Sequence, residues 1–341
     1  MSSLRVGIIG AGRIGQLHAK NILQSSSVEL RAISDVFLDG VKGSSLEKEV
    51  AYLTTDYKDL IKDPEIDAVL ICSPTDTHVD IIVEAAAAGK HIFCEKPISF
   101  SIDETKRALQ AVAKANVKFQ VGFNRRFDKN FRKVSDTVRA GQIGDPHIIR
   151  VTSRDPEAPP ASYIQRSGGM FMDMTIHDFD MIRYLSNKNV VEVYVKAANL
   201  VDPVIGECGD VDTAIITLTF EDGSLAVIDN SRKAVYGYDQ RVEVFGNNGA
   251  VSANNERLSS VEISTDQSVL LDKPKNFFLD RYEDAYVDEL NSFVEAILGN
   301  KEVECTGEDG FQAEILAHAA RKSWEEKRAV VVSELVEEVV G

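Results

Sequence analysis

Cysteine is scarce in this chain: Cys72, Cys94, Cys208 and Cys305 lie singly among 341 residues. No two have C-x-x-C spacing and none pairs with a histidine at metal-ligand spacing, which argues against a disulfide framework and a zinc site and predicts free thiols in a reducing cytoplasm. Long apolar runs are missing too, and no window approaches the roughly 18 apolar residues of a spanning helix. The opening run MSSLRVGIIGAGRIG is interrupted by Gly7 and Gly10 and followed by no small-residue cleavage site, so it reads as a strand and not as a secretory signal. Basic residues are outnumbered 38 to 54, a net charge of −16 that would repel nucleic acid and anionic membranes. Neither internal repeats nor low-complexity segments occur.

What is present is the composition of a soluble globular protein, 44% hydrophobic and 27% charged. At roughly 150 residues per domain, the length suggests two domains. Up to about Arg125, short apolar runs at 5–9, 29–34, 68–73, 91–94 and 118–122 alternate with amphipathic stretches such as HVDIIVEAAAAGK and IDETKRALQAVAKAN. Strands alternating with helices predict βαβ units and a parallel sheet, covered on both faces where the runs are uniformly apolar. Beyond a helix over 128–139 the rhythm changes to strand candidates at 146–154, 190–200, 213–220, 224–229, 240–245 and 261–264, with EDGS (221–224) and NNGA (247–250) as hairpin turns. Two helical patterns, 282–298 and 308–327, precede a short strand at 329–332. The expected architecture is an α/β dinucleotide-binding domain over 1–123 and an α+β domain with a large open mixed or antiparallel sheet over 124–341.

GAGRIG, Gly10 to Gly15, matches G-x-G-x-x-G. The match gains weight from its context: it follows a predicted strand, opens the helical run RIGQLHAKNIL, and a second strand ends at Asp35, twenty residues beyond Gly15. Gly10 permits the tight turn, Gly12 lets backbone N–H groups approach a pyrophosphate, and Gly15 allows close helix-to-strand packing. The helix N-terminus then presents unpaired donors to phosphate. Asp35 should accept from the ribose hydroxyls, and with no cation at Val36 or Phe37 to receive a 2′-phosphate, NAD is favoured over NADP.

CEKP, Cys94 to Pro97, closes the strand HIFCEK at the carboxyl edge of the parallel sheet, where ligands bind. Lys96 could be an exposed strand-end charge, or could hydrogen-bond a reacting hydroxyl. In GGMFMDMTIHDFD (168–180), Asp173 and His177 stand four apart in a helix-compatible run, so both can address one substrate group. His18, His91, His147 and His318 read as structural, and His78 as intermediate because it follows the strand-end SPT segment. A zinc reading through His177, Asp178 and Asp180 lacks H-E-x-x-H or a cysteine cluster, and no metal is expected. Arg125 and Arg126 invite a phosphosugar reading, but are equally read as surface or interdomain charges.

Together GAGRIG, SPTDTH (73–78), CEKP, GFNRRFD (122–128) and GGMFMDMTIHDFD resemble the glucose–fructose oxidoreductase/inositol dehydrogenase (Gfo/Idh/MocA) family, over essentially the whole chain and in order. SRDPEAPP (153–160) and YGYDQRVEVFG (236–246) make it most similar to the inositol 2-dehydrogenase branch. The resemblance implies a homotetramer and a cis Lys96–Pro97 bond, with Lys96 between nicotinamide and substrate. It puts Arg13 on the pyrophosphate, counts Ile14 among the cofactor-binding residues, and sets Ser73, Thr75, His78 and Glu95 along the nicotinamide side. Asp173 and His177 become its D-x-x-x-H pair, with Arg125, Asp155 and Tyr236 as substrate contacts. The implied reaction is hydride transfer from a ring carbon of a polyol, most simply myo-inositol, to NAD, with His177 taking the proton, Asp173 orienting it and Lys96 polarising the carbonyl. Another inositol isomer or an aldose as substrate, an NAD-dependent glycosidase, and a silent sugar sensor are the alternatives. The sensor would lack Lys96 or the Asp173/His177 pair, and this chain has all three.

Overall fold

The computed structural model describes residues 3–337. It divides into two compact units, one ending at Phe127 and taking back Asp284–Glu314, the other comprising Asp128–Glu283 and the chain from Ile315.

In the first unit the elements are β1 (Leu4–Ile9), α1 (Arg13–Leu23), β2 (Val28–Ser34), β3 (Tyr52–Thr54), β4 (Ala68–Ile71), α2 (His78–Ala87), β5 (His91–Glu95), α3 (Ile102–Ala115) and β6 (Phe119–Gly122), with shorter helical turns between. The strands pair in parallel in the order β3-β2-β1-β4-β5-β6, the doubly wound order of dinucleotide-binding folds. All four residues of β4 are buried, as a strand covered on both faces requires. α3 is fixed at its start by Ser101, whose hydroxyl accepts from the Glu104 N–H, and stopped by Asn116 in the left-handed region.

The second unit holds α4 (Lys129–Arg139), β7 (Pro146–Arg154), α5 (Ala161–Ser167), α6 (Gly169–Asp173), α7 (Ile176–Ser186), β8 (Val190–Ala198), β9 (Thr213–Phe220), β10 (Leu225–Ser231), β11 (Asp239–Gly246), β12 (Gly249–Ala253), β13 (Glu262–Ser264) and β14 (Val269–Leu271). A mixed seven-stranded sheet, β12-β11-β7-β10-β9-β8-β15, includes the late strand β15 (Val330–Val331). EDGS and NNGA join the antiparallel pairs β9/β10 and β11/β12 as expected. The 261–264 run is not part of this sheet: β13 pairs only with β14 as a separate exposed hairpin.

Two long helices follow, α8 (Glu283–Leu298) and α9 (Gly307–Glu326). A single boundary after residue 123 does not describe the result, because α8 returns to the first unit. Leu290, Phe293 and Val294 join a core with Val6, Ile8, Leu70 and Phe93, and the Phe93 and Phe293 rings meet edge-on at 5.8 Å. Burying one such aromatic ring stabilises by about 1.5–3 kcal/mol. α9 begins in the first unit and passes into the second after Glu314.

Candidate active site

The glycine turn follows from sterics at two positions. Gly10 has φ +101° and a Cβ on it would lie 2.5 Å from the Cys72 and Ser73 backbone; on Gly15 it would lie 1.9 Å from the Gly10 carbonyl oxygen. Gly12 differs, since an added Cβ meets nothing within 4 Å, so the protein's own packing does not demand glycine there. A ligand passing close to the backbone would. α1 begins there with no side-chain cap and no acidic residue in its first turn, leaving its amide donors for an anion, with Arg13 exposed and Ile14 half-buried beside them. Asp35 accepts from the Ala11 N–H at 2.6 Å and the Phe37 N–H at 2.8 Å, which ties it to the turn, and each carboxylate oxygen keeps a lone pair for a ribose hydroxyl. These residues fit a dinucleotide.

Ser73, beyond β4, shares a 2.7 Å hydrogen bond with the Thr77 hydroxyl, and Thr75 opens the short turn between them. His78 is placed differently from the sequence expectation. It is buried, with Nε2 2.9 Å from the Ser73 carbonyl oxygen and Nδ1 2.9 Å from that of Pro97, so no ring nitrogen remains for cofactor. Burial pulls its pKa down against those two carbonyls. Glu95 likewise turns inward: its Oε1 lies 2.9 Å from His18 Nε2, and its Oε2 would be 3.0 Å from a Cβ on Gly122. Both side chains are therefore engaged with other groups of the protein. Lys96 is half-buried, and the Lys96–Pro97 bond is cis as expected.

His18, Glu95 and Glu289 of α8 bring three ligand-capable atoms within 4.8 Å of one another. The His18 Nδ1 is buried with no hydrogen-bond partner, so the ring proton belongs on Nε2, donated to Glu95, and that nitrogen is not free for a metal. Burial, then the Glu95 charge, push the Glu289 carboxyl well above the ordinary range, keeping it neutral.

In the second unit, Asp173 and His177 do not share one helix. α6 ends at Asp173, Met174 and Thr175 form a turn, and His177 is the second residue of α7, its N–H bonded to the Met174 carbonyl. The Thr175 hydroxyl donates to Asn230 on β10, whose amide donates to Asp178, and these buried bonds hold the break in place. Asp178 is thereby structural.

Asp173 is gripped from two sides, by the Tyr163 hydroxyl at 2.8 Å and by Arg232 Nη2 at 3.0 Å. Arg232 also donates Nη1 to Asp155 at 3.1 Å, so one buried guanidinium bridges both carboxylates. Burial opposes its charge, but Asp173 and Asp155 outweigh that and raise its pKa. Neither Arg232 nor Tyr163 was singled out from the sequence. Strand register brings Arg232 in: β10 runs parallel to β7 with Ser231 opposite Arg154, so the next residues, Arg232 and Asp155, meet beyond the strand ends. Tyr236 sits in a separate network, donating to Asp239 at 2.6 Å and accepting from Arg154 at 3.1 Å. Arg125 and Arg126 are both buried in the first unit, and Arg126 pairs with Asp309 at 2.9 Å, which removes it from a phosphosugar reading. A cavity of about 480 Å³ in the second unit, lined by Glu157, Asp202, Lys233 and Asn276, includes none of these candidate residues.

A doubly wound sheet with this glycine turn, in one chain with an α+β unit carrying a fixed carboxylate and an imidazole, defines a nicotinamide-dinucleotide oxidoreductase. Residues 4–123 match the oxidoreductase family with an NAD-binding Rossmann fold, and residues 131–252 match the GFO/IDH/MocA C-terminal domain. The chain is 56% identical over 317 residues to the oxidoreductase YrbE of Bacillus subtilis, covering 93% of each. It is 47% identical over 333 residues to myo-inositol 2-dehydrogenase of Thermotoga maritima, covering 98% of this chain and 100% of that one. The solved scyllo-inositol dehydrogenase of Lactobacillus casei, with bound NAD(H) and scyllo-inositol, superimposes with a TM-score of 0.91 at 34% identity, over 97% and 100% of the two chains. The chain belongs to the GFO/IDH/MocA family of NAD-binding oxidoreductases.

Proposed function

We propose that this enzyme oxidises a ring CH–OH of a cyclic polyol, myo-inositol to 2-keto-myo-inositol, with NAD as acceptor. The observation that carries the reading is Asp173, fixed by Tyr163 and Arg232 four residues before His177 in an NAD-binding chain similar over its length to myo-inositol 2-dehydrogenase. Gly10, Gly12, Gly15 and the start of α1 hold the pyrophosphate of NAD and Asp35 its ribose; when bound, NAD supplies the hydride acceptor. His177 takes the hydroxyl proton, for which an imidazole with a reference pKa of about 6.5 is suited. Asp173 supplies a fixed negative charge that stabilises the imidazolium so formed. Lys96 hydrogen-bonds the reacting substrate oxygen as it becomes a carbonyl. Asp155 and Arg125 remain candidate contacts to the other hydroxyls; Tyr236 is the weakest of them, its hydroxyl being shared between Asp239 and Arg154.

The test is NAD reduction with myo-, scyllo- and D-chiro-inositol, glucose and galactose. The highest kcat/KM is expected with myo-inositol, and NADP in place of NAD should cost about tenfold or more, equivalent to at least 1.4 kcal/mol of repulsion at Asp35. Reduction by none of the five, or turnover of a glycoside with no net NADH, sinks the reading. A preference for NADP sinks the role of Asp35.

We further infer a cytoplasmic homotetramer. All four cysteines are free thiols, and no described helix is long and apolar enough to cross a membrane. The seven-stranded sheet packs α4 and α7 on one face, whereas strand register puts Ile215, Leu225 and Phe245 together on the other, all exposed. Such a face suits a second copy of the chain. Light scattering should give four times the 37.5 kDa chain mass. Leu225→Glu should lower that mass, and a monomeric parent protein would refute the assembly.

A further inference from the structure

Two side chains that this chemistry leaves unused hold the connection from β5 to α3, which carries Lys96. Glu314, midway along α9, is 1% exposed. One of its carboxyl oxygens accepts from the N–H groups of Ile98 at 2.6 Å and Ser99 at 3.2 Å, and the other lies 2.6 Å from the Thr105 hydroxyl. α9 is shaped for this approach. Gly310 lies one turn earlier on the same helical face, and a Cβ there would stand 2.8 Å from the Ile98 side chain. His78, on α2, sets Nδ1 2.9 Å from the Pro97 carbonyl oxygen. Three consecutive residues after Lys96 thus have a backbone group ending on a buried side chain from elsewhere in the chain.

An apolar residue at 314 would pack the helix without desolvating an acid. Burial instead pushes the Glu314 carboxyl up to about 8, against the pull of Thr105, Ser99 and Ile98. The acceptor has to be worth that cost, and what it fixes is the backbone beside the cation assigned to the substrate oxygen. We propose that Glu314, assisted by His78, is a positioning residue for Lys96, fixing Pro97–Ser99 so that the ammonium reaches the reacting oxygen in one geometry. The proposal rests on the reading of Lys96 as the group that polarises that oxygen.

Glu314→Met fills the space without an acceptor, while Glu314→Gln keeps an acceptor for the two N–H groups and can donate to Thr105. E314M should lower kcat about 10–10²-fold with KM for NAD and affinity for NADH within about twofold, and E314Q should stay within about threefold of the parent. In a Lys96→Met background, E314M should add no further loss. The proposal is overturned if E314Q is as impaired as E314M, if the E314M loss multiplies with K96M, or if NAD affinity falls in parallel with kcat. Should E314M not fold, Glu314→Ala carries the same comparison, and failure of both would make Glu314 purely structural and overturn it too. Near-parent turnover by K96M would instead reject the Lys96 reading itself, whatever the Glu314 variants do.

Discussion

His177→Ala should lower kcat by about 10²–10⁴-fold, the usual worth of a positioned general base, with NADH affinity unchanged because the glycine turn and Asp35 lie in the other unit. The loss should fall on kcat and kcat/KM alike, since proton transfer to the imidazole occurs only on the way to the ketone. A second signature comes from pH. With His177 as the base, parent turnover should fall toward acidic pH, and H177A should lose that limb. An H177A enzyme with near-normal kcat, or one that keeps the same acidic limb, would remove His177 from the proton-transfer role and leave Lys96 as the candidate.

The nucleotide half of this enzyme was legible because its signals are local. A tight turn, a helix start and an acidic strand end recur at fixed spacing, and consecutive buried strands announce themselves as apolar runs. β3 escaped notice because it is a three-residue edge strand, Tyr52–Thr54, with every residue half-buried. The return of α8 to the first unit was hidden for another reason, since an amphipathic helix shows that it has an apolar face but not which core receives it. Spacing alone also overstated the Asp173–His177 helix. The run is helix-compatible residue by residue, yet tertiary bonds from Thr175 to Asn230 and from the Met170 N–H to Asp210 divide it. The two residues still stand four positions apart, but they belong to successive helices and the break between them is bonded to β10. The inward placement of His78 and Glu95 was equally invisible, because a strand-end residue can face either ligand or core.

Arg232→Met should markedly destabilise the second unit. It leaves Asp155 and Asp173, with only 23% and 12% of their side chains exposed, facing each other without the cation that bridges them. Removing one partner of a buried ion pair costs about 3–5 kcal/mol, and partial exposure of the carboxylates favours the lower end. At roughly 2–4 °C per kcal/mol for a unit of this size, melting should fall by roughly 10 °C. Arg232→Lys should recover only part of this, because a single ammonium cannot reproduce two fixed N–H donors aimed at separate carboxylates. Stability and catalysis separate in the double variant Asp155→Asn, Arg232→Met, which removes one of the orphaned charges. Its melting temperature should rise above that of R232M, while kcat stays low because Asp173 still lacks its anchor. Recovery of activity together with stability would mean that Arg232 only holds the fold; unchanged melting in R232M would mean that the bridge carries little energy and that Tyr163 alone suffices to fix Asp173.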